Sequence, residues 1–462
     1  MSRIPASAAA FVCTLMAACG GGGGGGGGGM VGGSACSEAR ERRFVLDTAR
    51  EWYLFRELLP DGVDADQYAT AADLLDALTA DARAQGMDRF FSYVTTRQAD
   101  DAILQQGQFA GFGFRSRIED GRLWLTDVYE DSPAAGGSLS RGTEITHVDS
   151  GNGFVPMATL LEEDPDLAES FGPPTAGVER GMRFVPPGGA PNEAVFTKAV
   201  VTIPPVPAGG ASILALPSNP SVPVGYLSLR TFTTTAEAPL REAYADFRAQ
   251  GVEYFIVDLR YNGGGLVRIA EVIGDLNGEG REDSDVFLRT LFSTTKSGQN
   301  SVRRFNPQPE SVAPVRIAFI TTGLTASASE IVINSLAPWT EVAIVGEDTL
   351  GKPVGQSGFD VSGCDIRLRL VTFRFANAND DGDYYEGLAG SLPFACRADD
   401  DLMHEPGDEA EGSTAEALAW LGTGACTEVL PPDSRLRKAA SGFRVPRARR
   451  PTPVQELLPG IF

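Results

Sequence analysis

The segment from about Val224 to Cys426 alternates short apolar runs with stretches of helical period, which commits this part of the chain to an α/β core. "VGYLSLRTF" reads as a strand, and Ala236 to Gln250 as a helix with Leu240, Ala243, Tyr244 and Phe247 on one face. "VEYFIVDLR" then reads as a buried strand, and three glycines, Gly263 to Gly265, lead into the helical "LVRIAEVIGDL". Further on, "VRIAFITTG" is a strand, "SASEIVINSL" a helix stopped by Pro338, "VAIVGE" a strand, and "DIRLRLVTFRF" adds more β character.

Hydrolytic chemistry in such a core needs a nucleophile and a base. The chain has two histidines, His147 in an expected strand and His404 in an acidic loop, and neither lies near a nucleophile candidate. A GxSxG elbow is also absent from the sequence, so any base is something other than histidine. "VGEDTLGKPVGQ" comes within one residue of a phosphate-binding loop, with Gly346, Gly351 and Lys352 at the right spacing. Pro353 replaces the Ser or Thr that would hold magnesium, it biases Lys352 away from helical angles, and Gly355 weakens any helix after it. Lys352 therefore serves some other purpose than phosphate.

Ser327 stands where "VRIAFITTG" gives way to the helix, a place where unpaired helix amides can face an oxyanion. Lys352 follows 25 residues later, after one helix and one strand. Ser327 to Glu330 is also a capping box, so the serine has a plain structural role open to it, and Thr325 and Ser329 are rival hydroxyls. A solvated loop lysine and a tight strand-to-helix turn are the corresponding structural roles for Lys352 and the glycine triplet. Taken together, "VDLRYNGGGL", "TASASEIVINSL" and "GEDTLGKPVGQ" resemble the carboxyl-terminal processing, or tail-specific, proteases of the S41 type. The serine, the glutamate three later, the lysine and the glutamine four after it all match. The resemblance implies Ser327 as nucleophile, Lys352 as general base, Gln356 as orienter of the amine, and an oxyanion hole from the Ala328 and Gly264 amides. It also implies a core of the crotonase/ClpP-like ββα type and no cofactor or metal. The chemistry requires an uncharged lysine, and bringing one from about 10.4 to near 7 demands roughly 4 to 5 kcal/mol of burial.

Upstream, residues 36–107 read as an N-terminal helical module: Phe44, Val45, Leu46, Ala49, Trp52, Tyr53 and Leu58 keep helical spacing until Pro60, and Leu74, Leu75 and Leu78 mark a second helix. From about 108, short strands surround "GFGF" and "DSPAAGG". Gly111, Phe112, Gly113 and Phe114 resemble the carboxylate-binding loop of PDZ domains, and the Ser-Pro-Ala-Ala element and "RGTEITHVD" follow in the order of that family. Gly142-Thr143 replaces its usual Gly-Asp. A mostly β, PDZ-like insertion at 108–205 is thus expected, its loop amides converging on a peptide carboxylate while the peptide adds as a strand. The Pro- and Gly-rich stretches around 173–210 read as insertion and linker, with the protease core at 206–430.

The formal charge of −22 repels polyanions and argues against nucleic acid as a partner. Arg3, the apolar stretch Ala8 to Met16 and the small Ala17-Ala18 form an export signal over residues 1–18. "LMAAC" resembles a lipobox, which implies lipidation of Cys19, a glycine tether through residue 35, and attachment to a bacterial envelope membrane facing the periplasm. Export leaves Cys36, Cys364, Cys396 and Cys426 to pair in one of three ways, and we expect Cys364 with Cys396 and Cys36 with Cys426. In "NANDDGDYYEG", Asn377, Asn379, Asp381 and Gly382 occupy calcium-loop positions, but Leu388 stands where the closing glutamate belongs, so a polar turn is expected. Residues 431–462 carry seven Arg or Lys against two acidic residues and read as a flexible basic tail, ending in an apolar "LLPGIF" that such an insertion could take as its own ligand.

The reading is an envelope serine endopeptidase that takes protein or peptide substrates with apolar C-termini, with an adaptor or activator protein as a further partner. The alternatives are a non-catalytic envelope adaptor on a protease scaffold, and a cell-wall or ester hydrolase on the same fold.

Overall fold

The computed structural model describes residues 36–431, 433, 442–446 and 450–462. The signal, Cys19 and the glycine tract lie outside the described residues. Among the described residues, the strands form sheets of six, seven, five and two, and no helix is long and apolar enough to cross a membrane.

The six-stranded sheet is the centre of the α/β core. Its order is Ala211–Leu216, Asn219–Ser228, Tyr254–Asp258, Arg316–Thr321, Glu341–Gly346 and Phe394–Arg397, with every pairing parallel after the first. Parallel strands need crossovers, and the helices Glu237–Ala249, Val267–Leu276 and Ala328–Leu336 provide them. The first of these buries Leu240, Ala243, Tyr244 and Phe247, the face read from the sequence. Every residue of Ala328–Leu336 is buried, so the nucleophile candidate caps a helix with no solvent face.

Residues from the N-terminal region do not form a core of their own. The helices Glu38–Trp52 and Ala71–Leu78 bury Val45, Leu46, Leu74 and Leu75 against Val354, Leu368, Leu370 and Val371 of a second, antiparallel sheet. Strand Tyr93–Thr95 joins the edge of that sheet beside Arg367–Ala376. The first helix stops at Trp52, ahead of Pro60, because tertiary bonds take over: Leu54 N–H donates to Val371 O and the buried Tyr53 hydroxyl to Asp88.

The third unit is a β module. Strand Phe114–Glu119 pairs with Arg122–Val128, and Glu144–Asp149, Glu179–Val185 and Asn192–Thr197 continue the sheet. Residues 179–202, expected as insertion and linker, are therefore strands; their Pro and Gly residues form the turns between segments whose side chains Met182, Phe184 and Phe196 complete the module core.

Two expectations are corrected. The disulfides are Cys36–Cys364 and Cys396–Cys426. Cys396 lies on the edge strand of the main sheet, where its backbone bridges Val429 and draws Cys426 beside it; Cys36 precedes the first helix, which packs over the strands flanking Cys364. The tail is also seated rather than loose where it is described: Phe443–Arg444 pairs with Ile118 and Glu119, and Pro453–Leu457 is a short helix capped by Thr452. The "NANDDGD" segment is a turn in which Asn377 Oδ1 accepts the Asn379 and Asp381 amides, and Leu388 is in the core.

Candidate active site

Ser327 follows strand Arg316–Thr321 and a five-residue loop, and its backbone has φ 55° and ψ −115°. A β-carbon residue in that region is strained by about 1–3 kcal/mol, and it persists only where its surroundings impose it. Here the restraint is Glu330. Its Oε2 accepts both the Ser327 N–H at 2.9 Å and the Lys352 N–H at 2.8 Å, and its Oε1 accepts the Gly351 N–H at 2.7 Å. One buried carboxylate thereby clamps the Ser327 turn to the Lys352 turn. Burial pushes the Glu330 pKa up, against the Thr349 hydroxyl and the three amides, which favour the carboxylate.

Ser327 and Glu330 form the capping box read from the sequence, with the Glu330 carboxylate receiving the Ser327 amide and the Ser327 hydroxyl standing at the helix N-terminus. Its rivals are committed elsewhere: Thr325 Oγ1 donates to Leu259 O at 2.7 Å and Ser329 Oγ to Asn262 O at 3.1 Å. Ser327 retains 8 % exposure while both rivals are closed off, so it is the hydroxyl a reactant can reach.

Strand Glu341–Gly346 leads into a loop that carries Lys352, and strand Val354–Asp360 begins after the intervening Pro353. With no helix after the lysine, the phosphate-loop geometry is not formed. Lys352 is 7 % exposed and its Nζ lies 4.9 Å from the centroid of the Phe91 ring. Gln356 Nε2 donates to the Phe91 carbonyl at 2.7 Å, so lysine and glutamine converge on the same residue. Arg89, two residues earlier, holds the loop ahead of the lysine through Leu350 O at 3.0 Å and Gly351 O. Arg89 and Phe91 escaped the sequence reading because they lie in a different module, more than 250 residues away, and no motif marks them.

The glycine turn closes the site. Gly264 has φ 103°, and a β-carbon there would come within 2.8 Å of Ala326 O, Ala328 N and Ser327 Cβ. Only glycine allows this approach. The Ala328 amide, first in its helix, has no acceptor within that helix. The Gly264 N–H donates to Asn262 Oδ1 at 2.9 Å, and the Gly263 N–H to Leu457 O of the tail at 2.9 Å. Asn262, legible only as part of "RYNGGG", also accepts the Ala326 N–H and the Ser329 hydroxyl on its carbonyl, binding this turn to the serine loop.

In the β module, Gly111 ends strand Gln108–Gly111, and Phe112 and Gly113 form the short loop entering strand Phe114–Glu119. The Phe112 and Gly113 amides both donate to Phe462 O at 3.0 Å. The module is fastened to the core by buried charges. Asp400 accepts from Arg117 at 2.7 Å, from Arg141 and Arg260 at 2.6 Å, and from the Tyr261 hydroxyl. Burial alone would raise its carboxyl, but the guanidiniums of Arg141, Arg260 and Arg117 outweigh burial and hold it well below the usual range. Arg115 donates to Tyr261 O and Arg230 O at 3.1 Å, so strand Phe114–Glu119 touches the segment that leads into the glycine turn.

Comparison with known proteins agrees with this architecture. Residues 223–386 match peptidase family S41 and residues 40–93 the peptidase S41 N-terminal domain. A carboxyl-terminal-processing protease of Synechocystis sp. is 26% identical over 60% of this chain and 61% of its own length. A carboxy-terminal-processing protease of Bartonella bacilliformis is 25% identical over 62% of each. The chain thus spans about three-fifths of the length of these relatives. Among solved structures, a Bacteroides fragilis protein assigned as an S41 protease superposes with a TM-score of 0.64 at 21% identity, covering 82% of this chain and 97% of that one; this likeness concerns the fold.

Proposed function

We propose that the chain is a serine endopeptidase of the bacterial envelope that hydrolyses peptide bonds with Ser327 and Lys352. The observation that carries this reading is the Glu330 carboxylate, one oxygen of which receives the amides of both residues. In the proposed reaction, Ser327 Oγ attacks the scissile carbonyl carbon and its proton passes to the uncharged Lys352 amine. Collapse breaks the C–N bond, and that proton leaves with the amine product. Water then attacks the acyl ester, gives a proton to Lys352, and Ser327 Oγ recovers one as the acid departs. Burial of Lys352 is what the uncharged amine requires, and Gln356 acts by positioning the amine at Phe91. The developing oxyanion faces the Ala328 amide; the Gly264 amide contributes once it leaves Asn262.

Substrate capture falls to the β module, which we read as PDZ-like: an edge strand, a loop with two convergent amides, and an apolar pocket beside it. Export and lipidation at Cys19 rest on the sequence.

The test is to trap the acyl-enzyme. Acid-quenched protein after exposure to a peptide ester should carry the acyl mass on the tryptic fragment containing Ser327. The adduct should vanish in Ser327→Ala and in Lys352→Ala. An adduct elsewhere, or one that survives in Ser327→Ala, removes the assignment.

A further inference from the structure

The β module groove is already filled by this chain. Ser116 N–H donates to Gly460 O at 2.8 Å, Phe462 N–H to Phe114 O at 3.1 Å, and Ile461 bridges Arg115 in antiparallel sense. The Phe462 ring lies 4.5 Å from Phe171 and 6.3 Å from Phe114, inside the module core. Further along the same edge, Phe443 and Arg444 pair with Glu119 and Ile118. Strand Phe114–Glu119 has Arg122–Val128 on its other side, so both of its edges are taken. A peptide can add only to a strand with free donors and acceptors.

The segment reaches the catalytic turn as well. Val454, Leu458 and Ile461 pack with Ile103, Phe109 and Tyr129. That seat brings Leu457 O onto the Gly263 amide, next to Gly264. Arg450 pairs with Asp73 and Asp76 of the N-terminal helices at 2.6 and 2.9 Å. The tail therefore touches all three units.

We infer that segment Thr452–Phe462 is an intramolecular ligand of the β module, and that an incoming peptide must displace it before the glycine turn is released. This deepens the proposed function and rests on it for the release step; the binding step stands independently. The groove selects extended peptides ending in an aromatic side chain preceded by an aliphatic one, the pattern of Ile461 and Phe462. A groove occupied nine-tenths of the time weakens external binding about tenfold.

The test uses the full chain and a fluorescent peptide of sequence Leu457 to Phe462. Gly460 has φ 80° and a β-carbon there would meet Ser116 O at 2.2 Å, so Gly460→Val unseats the segment while leaving it attached. Phe462→Asp, which puts a charge into the apolar pocket, is the second variant should the first fail to fold by thermal melting. Fluorescence anisotropy should show the folded variant binding at least about tenfold more tightly than wild type. Equal binding by wild type and variant, or no binding by a folded variant, overturns the inference. Tighter peptide binding without any peptide hydrolysis would instead refute the endopeptidase reading and leave the intramolecular ligand standing.

Discussion

The core and the β module both gather backbone amides on one acceptor, but they are secured in opposite ways. The Ser327 and Lys352 turns are fixed from inside, by a fully buried carboxylate that no ligand can replace. The module's amides at Phe112 and Gly113 are satisfied from outside, by a segment that another peptide could imitate. A site held by its own core can stay poised and strained; a site held by an exchangeable strand can be switched.

The largest effects should fall on the core. Ser327→Ala and Lys352→Ala are each expected to lower kcat/KM by about a thousandfold or more with melting temperature unchanged, measured on an unstructured protein substrate. Glu330→Ala leaves three amides without their acceptor and should cost about 3 kcal/mol or more in urea unfolding, a loss that an exposed glutamate would not produce. Gly264→Ala should cost about 1–3 kcal/mol and reduce turnover further than that loss of fold explains, since the added carbon crowds Ser327 and the Ala328 amide.

A more moderate effect tests the joint between the two regions. The folded Asp400 carboxyl is held below its ordinary value of 3.8, so as pH falls beneath about 3.8 the unfolded chain takes a proton that the folded chain refuses. Its stabilisation is complete above that value and is lost progressively below it. Asp400→Asn should remove this part of the acid dependence and lower stability at neutral pH; an unaltered acid profile would mean the module is fastened elsewhere. The smallest effect belongs to Arg450→Ala. Its pairs with Asp73 and Asp76 are half-exposed, so the change should shift stability by under about 1 kcal/mol and tail occupancy by only a few fold.

Features with local signatures were legible in the sequence. Strand and helix periodicity located the core elements, the buried face of Glu237–Ala249 included, and the spacing of Ser327, Glu330 and Lys352 pointed to one site. Features made by distant, isolated residues were not. Asp400 is one acidic residue among many until Arg117, Arg141 and Arg260 surround it. The disulfide pairing depended on packing that no cysteine spacing encodes. The linker reading around 173–210 followed composition, whereas alternating apolar residues between the prolines had already specified strands.

The most direct test of the account is cleavage of an unstructured protein with an apolar C-terminus, followed by mass spectrometry for wild type, Gly460→Val, and Gly460→Val combined with Ser327→Ala. The account predicts cleavage by wild type, faster cleavage by Gly460→Val, and none once Ser327 is removed. Cleavage that persists without Ser327, or a folded Gly460→Val protein that binds peptide and never cleaves it, would contradict it.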